Sequence, residues 1–214
     1  MTPLFIERMG LALPPKIESA EELAIKIGRS ADWIRRRAGV HERRISDLSM
    51  PELAAQAGAD ALQDGPPPDL ILNASGVAHQ VLPDSSVFIQ KALGFSGIPS
   101  FSVHATCLSF ITAIQTASSL LNAGFYRRIL VVSADLGSRG RNFEEAESAA
   151  LLGDGAAGEG DDAETVRREG GDPLGPVLLV NVLHVLGVEG SALGLLAAHL
   201  EHAVGSALGV DDEL

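Results

Sequence analysis

One cysteine, one tryptophan and one tyrosine occur in 214 residues. A single thiol excludes an internal disulfide and any zinc site built on several cysteines, and no metal site is expected. Positive charge is also scarce: 16 Lys and Arg against 28 Asp and Glu leave a formal net charge of −12. Such a chain repels a phosphate backbone, which argues against nucleic acid as a partner. The opening residues MTPLFIERMG lack the basic start, apolar stretch and small-residue cleavage site of a secretory leader, so the expected location is cytoplasmic. Apolar residues, in contrast, make up 46% of the chain, enough for a real core and too many for wholesale disorder. The length suits one large domain or two small ones.

The few basic residues are concentrated: Arg35, Arg36, Arg37, Arg43 and Arg44 fall within ten positions, the pattern of a solvated helix face. Around them the chain is punctuated for short elements. Pro3–Leu13 reads as a strand closed by Pro14 and Pro15. Ser19, followed by Glu21 and Glu22, caps a helix that ends at Gly28, and a second helix runs from Ser30 to about Gly39. Ser49 with Pro51 in the first turn opens a third, ending near Gln63. The apolar run at 69–75 predicts a strand buried on both faces, as does 128–134. Between them lie a helix over about 85–93, a strand over 100–105 and a helix from Cys107 to Asn122. Strands alternating with helices predict an α/β layered fold with a central sheet.

The last quarter has a different texture. Residues 158–176 are rich in Gly, Asp, Glu and Arg without apolar periodicity, and Val177–Val204 is apolar almost throughout. Asn181, His184, Glu189 and His199 interrupt that run, and a charge near a bilayer centre costs about 2.5–3.5 kcal/mol on insertion scales. A buried or poorly packed segment is therefore expected in place of a membrane span. The chain divides into a domain over 1–157 and an atypical acidic linker with an apolar tail over 158–214.

A lone cysteine in an apolar neighbourhood is ordinarily an inert core residue. Cys107, however, sits where a predicted strand meets a predicted helix. Such an elbow exposes the thiol at the positive end of the helix, which favours the nucleophilic thiolate. The first free N–H groups of that helix are placed to bind an oxyanion. His104, three residues earlier, falls on the strand, where alternation predicts a buried or sheet-facing side chain and no role as a base.

Six segments in order then carry a family resemblance: Asp32–Arg44 (DWIRRRAGVHERR), Asp69–Ser75 (DLILNAS), Leu82–Ser86 (LPDSS), Phe101–Phe110 (FSVHATCLSF), Arg128–Asp135 (RILVVSAD) and Leu152–Ala157 (LGDGAA). Together they resemble the N-terminal half of β-ketoacyl-ACP synthase III, a condensing enzyme. The resemblance implies a thiolase-like layered fold, with a central mixed sheet flanked by helices, and homodimerisation. It implies that Cys107 accepts the acyl group from acyl-CoA, with no tightly bound cofactor. Trp33 and Arg37 match the pair that sandwiches the CoA adenine, Arg43 and Arg44 a basic stretch near the CoA or carrier entrance. Leu82 matches a residue reaching into the partner subunit's acyl pocket. Gly153, Asp154 and Gly155 match a structural turn beneath the active site, whose carboxylate caps nearby N–H groups. Ala146 stands where family members often carry an arginine, which weakens the grip on CoA.

The family's condensation step also needs a histidine motif and an Asn-x-Gly-Asn loop from its C-terminal half. His184, His199 and His202 lack those surroundings, and the resemblance is expected to stop near Ala157. The sequence thus supports an acyltransferase of the β-ketoacyl-ACP synthase III type, impaired in condensation. Its partners would be acyl-CoA, an acyl carrier protein and a second copy or a complete homologue. Fatty-acid and polyketide synthesis both remain open as pathways. The competing reading is a non-catalytic partner subunit or an inactive remnant.

Overall fold

The computed structural model describes residues 8–158 and 177–178. The acidic stretch and most of the apolar tail, with His184, His199 and His202, lie outside the described residues. The first strand, β1 (Gly10–Ala12), is followed by β2 (Lys16–Ser19), helix α1 (Ala20–Ile27) and helix α2 (Ala31–Ala38). Strand β3 (Glu42–Ile45), helix α3 (Met50–Leu62), strand β4 (Leu70–Asn73), helix α4 (Ser85–Ala92) and strand β5 (Ser100–Ser102) come next. A 3-10 turn at Thr106–Leu108 leads into α5 (Ser109–Asn122). The chain continues with β6 (Ile129–Leu136), α6 (Ala146–Ala149), β7 (Asp154–Gly158) and β8 (Val177–Leu178).

The helices begin and end where short polar residues and glycines dictate. Ser19 forms a reciprocal capping box with Glu22: Glu22 N–H donates to Ser19 Oγ at 3.2 Å and Ser19 N–H donates to Glu22 Oε2 at 2.8 Å. Ser30 caps α2 through Trp33 N–H, and Gly28 and Gly39 close α1 and α2 in the left-handed conformation. Pro51 occupies the first turn of α3, where no N–H is needed.

The main sheet runs β1-β7-β6-β4-β5, with β8 also pairing with β6. β4, β5 and β6 are parallel; β7 is antiparallel to both β6 and β1. Alternation on the central strands fills both faces. Ile71, Leu130, Val132 and Ala134 join Leu53, Ala54 and Ala57 of α3 and Ile89 of α4 on one side. Leu70, Leu72, Ile129 and Val131 join Ala113, Ala117 and Leu121 of α5 on the other. Each fully buried aliphatic side chain contributes about 1.5–3 kcal/mol relative to exposure. A third cluster, with Leu23, Ile34, Val40 and Ala149, lies under α1, α2 and α6. β1 passes so close to α3 that a Cβ on Gly10 would sit 2.3 Å from Ala57 O, which makes glycine obligatory there.

The α/β layering with a mixed central sheet expected from the sequence is present. Two elements differ from the expectation. The stretch around Arg43 is not a solvated surface: β3 pairs with β2 in a separate two-stranded sheet, and Arg43 is only 3% exposed. Residues 153–155 are not a turn either. Asp154 and Gly155 open β7 and face Leu136 and Asp135 of β6, and Gly153 before them passes Arg43 and Arg44 closely, where a Cβ would sit 3.1 Å from Arg43 Cβ.

Candidate active site

The parallel strands β4, β5 and β6 all end at one rim of the sheet, and the loops that follow them emerge together there. In open α/β sheets this rim is where ligands bind. It brings together the loop after Asn73, the segment from Val103 to Leu108 that contains Cys107, and Asp135 at the end of β6.

Cys107 is an exposed free thiol. It does not open the long helix, as the sequence predicts, but sits inside the preceding 3-10 turn. The reason is local. Thr106 takes a positive φ of 52°, and Ser109 Oγ both accepts from Ala105 N–H at 2.9 Å and donates to Thr106 O at 2.7 Å. The first turn bond comes from Leu108 N–H to Ala105 O at 3.0 Å, so the amide of Cys107 precedes it. A non-glycine residue at positive φ is the kind of backbone found at functional sites. Ser109, buried beneath the elbow, is a positioning residue that the sequence pattern does not single out. His104 is exposed, not buried, because β5 stops at Ser102 and strand alternation no longer applies to it.

Asp135 ties the first of these loops to β6. Its carboxylate accepts from Gly76 N–H at 3.0 Å and Val77 N–H at 2.8 Å. Burial nevertheless pushes the carboxyl above its ordinary value, against those two donors and the charge of His104. Asp84 joins the Leu82 loop to β5: it accepts from Ser86 N–H at 2.9 Å and Ser102 Oγ at 3.0 Å, and from Ser86 Oγ. Burial raises the Asp84 carboxyl, but these bonds together hold it below its ordinary value. Leu82 itself is 81% exposed. Val81, Phe101 and Leu108 are also exposed, so the Cys107 rim carries an uncovered apolar strip. A cleft of about 600 Å³ opens at the same rim between Val77, His79, Leu136, Arg139 and Leu152; Cys107 does not line it.

Asp154 anchors the rim from below. Its carboxylate accepts from Ser46 N–H at 2.7 Å, Ser138 N–H at 2.6 Å and Ser138 Oγ at 2.6 Å. The capping carboxylate is thus as the sequence reading has it, on a strand instead of a turn. Arg43 is not at an entrance. Its Nε donates to Glu18 Oε2 at 2.7 Å and its Nη1 to Ala149 O at 2.6 Å. Burial pushes the Glu18 carboxyl up, but hydrogen bonds from Lys26 and Arg43 outweigh that and hold it below the usual value. Arg44 is half-buried and donates to Pro14 O at 3.3 Å.

Trp33 and Arg37 are both on α2. Trp33 is half-buried and packs on the third cluster, while its ring meets a second cleft of about 590 Å³ with Arg29, Glu145, Ala146, Glu147 and Ser148. The cation over the indole is Arg29, with Cζ 5.7 Å from the ring centroid. Arg37 is engaged elsewhere: its Nε and Nη2 both donate to Glu147 Oε1, at 3.1 and 3.0 Å. Glu147 escapes a sequence reading because its pairing with Arg37 spans 110 positions; Arg29 is local to Trp33, four residues before it, but lies outside the segment that carries the resemblance. Among the described residues, no group of three or more His, Cys, Asp or Glu is placed to hold a metal. No described helix is long and apolar enough to cross a membrane.

Comparison with known proteins follows the same outline. The 3-oxoacyl-(acyl-carrier-protein) synthase III family matches residues 101–159, the segment from β5 to β7. A β-ketoacyl-(acyl-carrier-protein) synthase III of Erythrobacter litoralis is 35% identical over 190 residues, 86% of this chain and 58% of the relative. One from a Synechococcus strain is 34% identical over 210 residues, 92% of this chain and 59% of the relative. The chain therefore spans under two thirds of the length of these relatives. Both alignments reach beyond residue 158, while the family's own match ends at residue 159. Among solved structures, a 3-oxoacyl-(acyl-carrier-protein) synthase III from Aquifex aeolicus superposes with a TM-score of 0.69 at 29% identity, covering 72% of this chain and 52% of that one.

Proposed function

For a chain that is β-ketoacyl-ACP synthase III-like in sequence and fold, we propose acyl transfer through Cys107 as the activity. The single observation that carries this reading is the exposed thiol in a 3-10 turn locked by Ser109. In the proposed step the Cys107 sulfur attacks the carbonyl carbon of an acyl thioester, acyl-CoA being the donor the family resemblance implies. The bond to the donor sulfur breaks, and the donor thiol leaves with the electron pair and takes up a proton. The amide of Cys107, at the start of the turn, is the oxyanion donor in this reading. In onward transfer a second thiol attacks the Cys107 thioester carbon and the Cys107 thiolate leaves. In Claisen condensation a malonyl thioester on an acyl carrier protein loses CO2, the electron pair so released forms the new C–C bond to the acyl carbon, and the Cys107 thiolate leaves and regains a proton. Asp154, Asp135 and Asp84 are positioning residues, and Trp33 with Arg37 forms the remote handle for the donor. For Arg37 to cap a ring stacked on Trp33, it must leave Glu147.

The reading needs no tightly bound cofactor or metal. It pairs the chain, as a cytoplasmic protein, with a second copy or with a complete homologue across the apolar strip of Val81, Leu82, Phe101 and Leu108. Fatty-acid and polyketide synthesis are the pathway settings. The same strip favours a second reading, a non-catalytic partner subunit, because so much uncovered apolar surface drives association. Intact-protein mass spectrometry after incubation with acyl-CoAs of several lengths separates the two. One added acyl group, absent from Cys107→Ala, supports the acyltransferase. A folded protein with no adduct rejects it and leaves the partner subunit.

A further inference from the structure

Asn73 closes β4, and the parallel register sets it beside Ser102 at the end of β5. Asn73 is 2% exposed. Its Oδ1 accepts from Ser75 N–H at 3.2 Å and from Ser75 Oγ at 2.6 Å, and its Nδ2 donates to Ser102 Oγ at 2.8 Å. Ser75 Oγ accepts in turn from Ala134 N–H of β6 at 3.0 Å, and Ser102 Oγ donates to Asp84 Oδ1 at 3.0 Å. The two ends fix the direction of every bond. Ala134 N–H can only donate, and Asp84, held below the ordinary carboxyl value, stands as a carboxylate that can only accept. With one hydrogen on each hydroxyl, a single arrangement remains, running from Ala134 through Ser75, Asn73 and Ser102 to Asp84. A buried member that loses its neighbour is left unpaired.

This chain of bonds reaches the nucleophile. Asn73 O also accepts from Val103 N–H at 2.8 Å, so Asn73 grips two consecutive residues on the approach to Cys107. Ser109 grips Ala105 and Thr106 from the other side. Four of the five residues from Ser102 to Thr106 are thus held by one clamp or the other. We propose that Asn73 is a positioning residue for acyl transfer: acting through Ser102, it fixes the upstream side of the Cys107 elbow and so aims the Cys107 amide at the oxyanion. This rests on the reading of Cys107 as the acyl acceptor.

Acylation needs a placed oxyanion donor. Alkylation by iodoacetamide, in which the thiolate sulfur displaces iodide, needs only a free thiol. The test follows both reactions over time by intact-protein mass spectrometry, with acetyl-CoA and octanoyl-CoA at saturating concentration. It uses the full chain, Ser102→Ala, Ser102→Thr and Asn73→Leu. Ser102→Ala and Asn73→Leu should acylate about 10- to 100-fold more slowly and alkylate at the unmodified rate. Ser102→Thr, which keeps the hydroxyl, should restore acylation. Should Asn73→Leu not fold, Ser102→Ala carries the test, since it removes one hydroxyl at a half-buried position. Acylation of Ser102→Ala at the unmodified rate overturns the proposal, as does a loss that Ser102→Thr does not rescue. A loss matched by slower alkylation overturns it as well, because the thiol itself is then impaired. Faster alkylation with lost acylation marks loosened packing and also overturns it. An unmodified chain that is alkylated at Cys107 but never acylated gives a different result from all of these: the acyltransferase reading itself falls, and the proposal with it.

Discussion

The centre of the sheet and its β5 edge are parallel strands of one sheet that end in opposite states. Along β6, the side chains from Ile129 to Ala134 are all buried, between α3 and α4 on one face and α5 on the other. On β5, Phe101 is exposed, and beyond it Leu108, Leu82 and Val81 are uncovered as well. Polar groups divide in the same way. At the closed end, Asp154 satisfies three donors and Glu18 is held between Lys26 and Arg43. At the open end, Cys107 stands free on a turn braced from beneath. The difference teaches that the described residues hold themselves together from β1 to β4, while the Cys107 rim is finished as chemistry but not as surface.

The largest effect that would break this comparison lies in the closed end. Arg43→Met leaves Glu18 buried with Lys26 and, at 3.9 Å, Arg141, and removing one partner of a buried pair costs about 3–5 kcal/mol. Urea unfolding at neutral pH measures it. The same variant should change acid sensitivity. Glu18 has a lowered value in the folded chain, so its stabilisation is present above the unfolded value of about 4.3 and is lost as pH falls through the folded value. In Arg43→Met burial is opposed without the hydrogen bond and charge of Arg43, so this loss below about pH 4 should flatten; an unchanged acid transition would count against the Glu18 network.

Next in size is Leu72→Ala in β4, which opens a cavity against α5 and should cost about 2–5 kcal/mol. A loss under about 1 kcal/mol would mean that the closed centre is less tightly packed than its burial indicates. Ser19→Ala removes one half of the capping box of α1 and should cost about 1 kcal/mol by the same measurement. The smallest effects on stability belong to the open edge. Phe101→Ser should alter protomer stability by no more than about 0.5 kcal/mol, yet lower self-association in sedimentation velocity. If Phe101→Ser instead unfolds the protein, the edge is part of the core and the comparison fails.

How much of this was legible from the sequence follows from how local each cause is. The caps at Ser19, Gly28, Ser30, Gly39 and Ser49 need only neighbours within four positions, and they were readable. So were β4 and β6, whose unbroken apolar runs describe strands buried on both faces. β3 was hidden because its buried residue is Arg43, a charge that no hydropathy pattern places inside; the carboxylate that accepts it is 25 positions away. The 3-10 turn was hidden because Ser109, Ala105 and Thr106 look like an ordinary helix start until their hydrogen bonds are drawn. Of the site, the Cys107 elbow was visible as a strand-to-helix junction. Of the company of Trp33, Arg29 lies only four positions away, within local reach, whereas Glu147 comes from more than a hundred positions away and no local pattern reveals it.

The shared direction of β4, β5 and β6 has a practical consequence. Cys107 lies at one rim of the sheet, and α5 carries the chain back to the other over 14 residues, a distance of about 21 Å. The turn there, around Ala123 and Phe125, is exposed. A bead, dye or resin attached at that turn would leave the thiol pointing away from the support, so the protein could be immobilised with its reactive face presented to solution.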